Sequence, residues 1–444
     1  MDLNPTSLSL ATIPLAAVFR ALLGLMLLCG IAWALSAHRR RFPWRVVLGG
    51  LGLQIGLAVI LLWIPVTARI FEHLARLVTT AIGMAGEGSA FLFGSLADPA
   101  GPVGFVFAFR VLPVIVYFAA LMSVLYHLGV MQRIVAAMAW VMRRSLGVSG
   151  AEAVTVAANV LVGQTEAPLC IRPFLPRLTT SQLMVVMASG FATIAGSVFA
   201  GYVEFLGGTD PDRQVLFAKH LMTASLMSAP AAFVMAKILL PETEPEPAET
   251  LSAQPVDERP AVNSIDAVVV GATDGLRLAL NVGAMLVAFI AILALLDWPI
   301  AALGDLRWIE AWRESHGFGS WSVQGGLGLL FRPIAWIIGA PAADVDVVGR
   351  LLGTSVVATE FVAYLDLSQL IADGGISRRG MVVATYALCG FANIPSMAIQ
   401  IGGLGAIAPE RRAELSRIAP RALVAGLLAC WSTATVAGMA IGEG

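Results

Sequence analysis

Residues 163–175, GQTEAPLCIRPFL, are followed after about one helix length by GFATIAGS at 190–197. Residues 358–367, ATEFVAYLDL, are followed in the same way by GFANIPSM at 390–397. Each half of the chain therefore carries a Thr-Glu pair, Thr165-Glu166 or Thr359-Glu360, and then Gly-Phe-Ala-Thr/Asn-Ile. A carboxylate beside a Gly- or Pro-interrupted helix, in corresponding places of two halves, is the pattern of a transporter's solute site near the bilayer midplane.

The composition agrees with a lipid environment. The 444 residues are 58% hydrophobic and 13% charged, where a soluble domain carries roughly 25% charged residues. An all-α polytopic membrane protein follows, since only helices satisfy their own backbone groups in lipid and no barrel-like alternation is present. The net charge of −1 gives no reason to expect a nucleic-acid partner. The N-terminal MDLNPTSLSLATIPL has neither a basic leader nor a small-residue cleavage site, so the first span is expected to remain. Cys29, Cys170, Cys389 and Cys430 lack CxxC or metal-ligand spacing and read as small core residues.

Outward from the two motifs, apolar runs at 21–37, 46–66, 105–130, 183–205, 221–240, 278–296, 381–401 and 422–437 make eight spans, each near the ~17–25 residues that cross a bilayer. The basic loop at His38-Arg39-Arg40-Arg41 is expected in the cytoplasm, which puts both the N- and C-termini outside. Residues 68–83 divide into an apolar face (Ile70, Phe71, Leu74, Leu77) and a polar face (Arg69, Glu72, His73, Arg76), the pattern of an interfacial helix. Residues 131–146 form a second amphipathic segment. The stretch 151–170 crosses Gln164, Thr165, Glu166 and Pro168. A carboxylate at the bilayer centre costs ~2.5–3.5 kcal/mol even on gentle scales, so this stretch is expected to be a re-entrant hairpin buried in protein. The same reading applies to the segment bearing Thr359, Glu360 and Tyr364. Residues 241–260, PETEPEPAETLSAQPVDERP, read as a mobile linker, and 297–321 as an outer interfacial stretch.

Glu166 and Glu360 are the strongest chemical signals, because ionisable residues within the membrane default to function. The alternative is a buried ion pair, for example with Arg110 or Arg172. Each Glu lies beside a Thr and close to a helix-breaking element, so carboxylate, hydroxyl and freed backbone groups converge. Carboxylates accept from hydroxyl and N–H donors, which suits a neutral, polyhydroxylated solute better than an anion. Gln164 can donate and accept at once and fits a nucleobase edge or a helix-helix contact. Asn393 and Ser396 could face a sugar or bridge helices. Phe191 and Phe391 read first as core, and His127 as interfacial.

At these residues the chain resembles the concentrative nucleoside transporter family. The resemblance runs from about Phe105 to Ala437 and includes FAFRVLPVIVYFAALMSVLYHLGVMQ (107–132), GQTEAPL (163–169), EFVAY (360–364), CGFAN (389–393) and IQIGGLGAIAPERR (399–412). It implies a homotrimer in which a transport domain, made of two hairpins and two broken helices in an inverted repeat, moves across a scaffold domain. It further implies that Gln164, Thr165, Glu166 and Val198 surround the base of a nucleoside such as uridine or adenosine, while Glu360, Phe391, Asn393 and Ser396 line the other side and address the ribose. A sodium site would use Asn159, Thr193 and the carbonyls of Val162 and Ile194. Thr359 and Pro395 depart from the family's usual Asn-Glu-Phe and Asn-x-Ser-Ser.

The expected organisation is two scaffold spans (1–66), an interfacial helix and loop (67–104), a third span with an amphipathic helix (105–146), the first hairpin with two spans (147–240), a linker (241–264), a scaffold span with an outer interfacial stretch (265–323), and the second hairpin with the last two spans (324–444). The expected function is secondary active import of nucleosides through the cell's inner membrane by an elevator-type motion. It is coupled to sodium or a proton and uses no organic cofactor. Transport of another small polar solute on the same scaffold is the alternative. An intramembrane enzyme or sensor is a weaker one, because no HExxH or GxSxG lies in a span.

Overall fold

The computed structural model describes residues 15–98, 106–245, 247, 250, 261–304, 306 and 322–440. Most of the Pro/Glu-rich linker and of the outer stretch 297–321 lies outside these residues. The described chain is all helical, as the composition requires. In order, the helices are α1 (Leu15–Ala34), α2 (Trp44–Ala58, continued by a π turn to Trp63), α3 (Pro65–Phe93), α4 (Phe107–His127) and α5 (Val130–Leu146). The first motif follows in α6 (Gly150–Asn159), α7 (Thr180–Ala192), α8 (Gly196–Gly207) and α9 (Pro211–Leu239). After α10 (Ser264–Gly304) and α11 (Val323–Ile337), the second motif occupies α12 (Val345–Val357), α13 (Glu360–Ala372), α14 (Arg378–Ala387), α15 (Ile394–Ile407) and α16 (Arg412–Ala440).

The echo in sequence is an echo in structure. In the first half α6 stops at Asn159, the chain turns through Gly163 and returns in short 3-10 turns, and then α7 and α8 meet at a break. In the second half α12 and α13 form the two arms, and α14 and α15 meet at a longer break. Local chemistry sets the arms. Ser149-x-x-Glu152 and Thr179-x-x-Gln182 are reciprocal capping boxes at the starts of α6 and α7. Thr359 caps α13 by accepting the Val362 N–H, and Asn393 caps α15 by accepting the Ser396 N–H at 2.8 Å. The two departures from the family pattern thus sit at helix starts. Thr359 serves as a cap, and Pro395 occupies the first turn of α15, where its missing N–H costs nothing.

Burial separates the helices into two groups. The apolar windows of the α7–α8 pair, α9 and α16 are 89–94% buried, whereas those of α3, α4 and α10 are only 17–22% buried. The first group is the core, with α16 packed against α7, α9 and α14. The second group presents apolar surface outward, as lipid-facing helices do. Within it α4 and α10 run along each other, and Gly271-x-x-x-Gly275 makes the seam. A Cβ at Gly271 would fall 2.7 Å from the Ala119 carbonyl oxygen, and one at Gly275 would fall 2.8 Å from the Val116 Cα. Small residues four apart let membrane helices approach closely and fix their rotation.

Three expectations change in extent. The helix expected at 68–83 extends over Pro65–Phe93, and length and composition alone would let Pro65–Ala97 cross a membrane. Eight described helices meet that test. They include Pro65–Ala97 but not the expected span 381–401, because its break divides it into α14 and α15. The span expected at 278–296 is part of the 41-residue α10, whose first turns hold the Gly seam.

At one end of the core a buried ionic knot joins separate elements. Lys237 Nζ lies 2.6 Å from Glu152 Oε1 and donates to Ser181 Oγ at 3.1 Å, while Glu152 Oε2 accepts the Ser149 N–H and hydroxyl. The end of α9 is thereby tied to the starts of α6 and α7.

Candidate functional site

The site begins at the tip of the first hairpin. Gly163 has φ +111°, and a Cβ there would lie 2.7 Å from the Ala195 Cβ and 3.1 Å from Glu166 Oε2. Only glycine combines that backbone angle with that approach. The Gly196 N–H donates to the Leu161 carbonyl at 3.1 Å, which pins the tip to the break between α7 and α8. Val162 and Ile194, each one or two residues from that bond, are thereby brought to adjoining edges of the same corner.

Asn159 ends α6 at this corner. Its Nδ2 donates to Ser189 Oγ at 2.8 Å, but its Oδ1 is buried without a hydrogen-bond partner. A buried carbonyl oxygen left without a donor costs ~1–3 kcal/mol. Thr193 Oγ1 is buried nearby and donates to the Ser189 carbonyl at 2.9 Å, leaving its lone pairs to accept. The donor set of Asn159, Thr193 and the Val162 and Ile194 carbonyls is therefore all oxygen and neutral. It fits a weakly charged hard cation, and among the described residues no cluster of His, Cys, Asp and Glu offers a transition-metal alternative.

The two breaks touch. A Cβ at Gly390 would lie 2.6 Å from the Phe191 carbonyl oxygen, and the Phe391 N–H donates to the Thr193 carbonyl at 3.4 Å. The Cys430 thiol of α16 reaches both the Ala192 carbonyl (3.6 Å) and the Cys389 carbonyl (3.4 Å). Unwinding a helix orphans its last carbonyls, and a single thiol serves the ends of both α7 and α14. Phe191 and Phe391 are buried in this joint, as their core reading anticipates.

Beyond the joint lie two polar groups. Around Gln164, the Gln400 Nε2 donates to Gln164 Oε1 and to the Met187 carbonyl, both at 3.0 Å. Around Glu360, Tyr202 Oη donates to Oε1 at 2.7 Å and Asn393 Nδ2 donates to Oε2. Glu360 is the first residue of α13, so its charge also faces the positive end of that helix. Ser396 is buried one turn along α15 from Asn393.

An open cavity of about 540 Å³ adjoins the first hairpin. Glu166, Leu161, Val162 and Ser197 form one wall, and the opposite wall is α4 and α10, with Ser123, Tyr126, His127 and Asp274. Glu166 is exposed to it, Thr165 is half-buried beside it, and Val198 is buried behind Ser197. Glu360, Phe391, Asn393 and Ser396 are buried and do not belong to this lining. Of the first-half substrate candidates only Glu166 lines the cavity, with Gln164 and Val198 buried, and the second-half candidates form a closed group. The structure does not form one shared pocket.

Arg110 is not the partner of Glu166. Its Nη2 pairs with Glu204 on α8, which also receives Gln214 Nε2 at 3.4 Å. Tyr202, Glu204, Gln400 and Asp274 are polar participants that the motif reading passed over. Gln400 was accessible to it, since Asn393, Ser396 and Gln400 fall at i, i+3 and i+7 on one helical face. Glu204 was accessible too, as a lone carboxylate in an apolar run.

Comparison with known proteins bears on this geometry. Residues 220–438 match the family described as Na+ dependent nucleoside transporter C-terminus, residues 23–96 its N-terminal counterpart, and residues 108–209 a family described as nucleoside recognition. The chain is 40% identical over 434 residues to an uncharacterized transporter of Haemophilus influenzae, covering 96% of this chain and 99% of that one. It is 36% identical over 430 residues to the nucleoside permease NupC of Helicobacter pylori, with 95% and 97% covered. It is 36% identical to human solute carrier family 28 member 3, covering 94% of this chain and 59% of that longer protein. Among solved structures it resembles CNTnw in an inward-facing substrate-bound state, with TM-score 0.85, 38% identity and 96% and 99% covered. It also resembles a doubly substituted CNTnw in an outward-facing state, with TM-score 0.87, 37% identity and 96% and 98% covered.

Proposed function

The chain belongs to the concentrative nucleoside transporter family, and from that premise we propose that it imports nucleosides across the cell's inner membrane by coupling their movement to sodium. It is a multi-pass membrane protein of a transporter family, not of an enzyme family. The observation that carries the coupling is the buried, unpartnered Asn159 Oδ1 at a corner of neutral oxygens. A proton would leave that oxygen unserved, because an amide does not take a proton at neutral pH; a sodium ion would serve it. A base held by Gln164, Thr165 and Glu166 beside Val198, and a ribose held by Glu360, Asn393 and Ser396 beside Phe391, would complete the load.

The motion proposed is an elevator. The core helices with both hairpins move as the transport domain, and α1, α2, α4 and α10 stay as the scaffold, with the protein assembled as a homotrimer. The cavity supports an inward-facing state. It is lined by the last turns of α4, by the early part of α10 and by Ala261, and with α3 lying in the interface rather than crossing, a cytoplasmic 38–41 loop puts these ends inside and both termini outside. On the opposite side Arg110 and Glu204 hold α4 against α8.

The test is uptake of labelled uridine into proteoliposomes, with sodium replaced by choline at two pH values. Sodium-dependent uptake at both pH values is the expected result, and it should be lost in Asn159→Leu, which removes the orphan oxygen at similar volume. Uptake that follows the pH gradient and ignores sodium would replace sodium with a proton. Competition by sugars but not by nucleosides would move the assignment to another polar solute.

A further inference from the structure

The cavity has two walls of different origin, and only one belongs to the residues discussed so far. On the scaffold side, Ala119, Met122, Ser123, Tyr126 and His127 lie on one face of α4, and Val270, Gly271 and Asp274 on one face of α10. The Gly271 and Gly275 contacts fix the rotation of α10 against α4, and so they fix the direction of Asp274 as well. Asp274 is exposed to the cavity. Its one ion-pair contact among the described residues, to Arg277 one turn away, is 3.9 Å and leaves the carboxylate open to another donor. Across the cavity stands Glu166.

The lining has a clear chemical bias. Glu166 and Asp274 accept hydrogen bonds and, when ionised, donate none. Ser123, Ser197, Tyr126 and His127 add groups of mixed character, and among the described residues no Lys or Arg belongs to the walls. The part of a solute that faces Asp274 must therefore present a donor. With the ribose at the closed Glu360 group and the base beside Gln164 and Glu166, the base is the end that meets this wall. Cytosine presents an N4 amine and adenine an N6 amine where uracil and thymine present a carbonyl oxygen. A carboxylate attracts the first pair and repels the second.

We infer that Asp274 is a specificity-determining residue of the scaffold wall, which accepts a hydrogen bond from the exocyclic amine of the base and so favours cytidine and adenosine over uridine. This rests on the nucleoside reading of the site and adds to it a residue outside both motifs and a preference among bases.

The test is calorimetric binding of cytidine, N4,N4-dimethylcytidine and uridine to the purified full-length protein in sodium buffer. Dimethylation removes both amine donors and keeps the ring. Wild type is expected to bind cytidine about tenfold more tightly than either comparison ligand, the lower end for one charge-assisted hydrogen bond. In Asp274→Ala the three affinities should converge to within about twofold, through weaker cytidine binding and relief of the repulsion on uridine. Asp274→Asn, which keeps an acceptor oxygen, should fall between the two. The Asp274 side chain is 66% exposed, so neither change opens a core cavity. An unchanged cytidine-to-uridine ratio in Asp274→Ala, or an equal loss for all three ligands, overturns the inference. Failure of wild type to bind any of the three would instead strike the nucleoside assignment itself, with Asp274 intact.

Discussion

Replacing Arg110 with methionine should move the protein out of the state seen here. Glu204 is buried, with only 4% of its side chain exposed, and among the described residues Arg110 is the cation paired with it. Without the guanidinium the carboxylate keeps only a 3.4 Å contact from Gln214 Nε2. Removing one member of a buried ion pair costs about 3–5 kcal/mol, because the remaining charge is left uncompensated. If α8 slides along α4, as an elevator requires, that penalty applies only where Glu204 is covered by α4. The inward-facing state would lose roughly 10²–10³-fold in population relative to one in which Glu204 meets water. The assay is labelling of Ser123→Cys, which lines the cavity, by an impermeant thiol reagent applied from the cytoplasmic side of inverted vesicles, with the unmodified parent as baseline. Labelling should drop sharply in Arg110→Met and recover when Glu204→Gln is added, since the second change removes the stranded charge. Equal labelling with and without Arg110, or no recovery in the double variant, would refute the argument that this pair holds the closed side.

Three further outcomes are expected. Glu360→Gln should abolish uridine uptake while leaving assembled protein, because the amide oxygen can still accept from Asn393 and the amide N–H can donate to the Tyr202 hydroxyl, but the charge at the α13 start is gone; unchanged uptake would remove the ribose role. Gly390→Ala should lower the midpoint of thermal unfolding by several degrees, since its Cβ meets the Phe191 carbonyl at 2.6 Å and backbone cannot step aside cheaply. Lys237→Met should destabilise by about 3–5 kcal/mol through stranded Glu152, and Lys237→Met with Glu152→Gln should recover most of that in denaturant unfolding.

The fold was legible because each of its rules acts over short distances in sequence. Apolar runs of span length, the cap residues Ser149, Thr179, Thr359 and Asn393, and the paired Gly-Phe-Ala motifs are all local patterns. What escaped depended on partners remote in the chain. Arg110 lies 94 residues from Glu204, and nothing in the order of residues says which carboxylate it meets. The early part of α10 lies outside the apolar run 278–296 because Gly271, Asp274, Gly275 and Arg277 lower its hydropathy. Those glycines become a packing seam only when α4 is placed against them. Residues around the candidate site behaved alike: Glu360 and Asn393 stood out as polar groups beside breaks, but the Tyr202 hydroxyl that completes their group comes from a helix 158 residues away. In the sequence Thr359 and Pro395 are only departures from the family's usual pattern, and the structure gives each a place in a helix start.

Among the described residues the cavity walls carry no Lys or Arg, which has a consequence for the cell's side of the trade. A phosphate monoester brings a charge of about −1.5 to −2 at neutral pH, and here it would meet Glu166 and Asp274 with no cation to answer it. A nucleoside released inward and then phosphorylated could not climb back through the mouth it left by. The carrier would act as a ratchet whose pawl is a kinase reaction elsewhere, holding salvaged material inside even when the ion gradient fails.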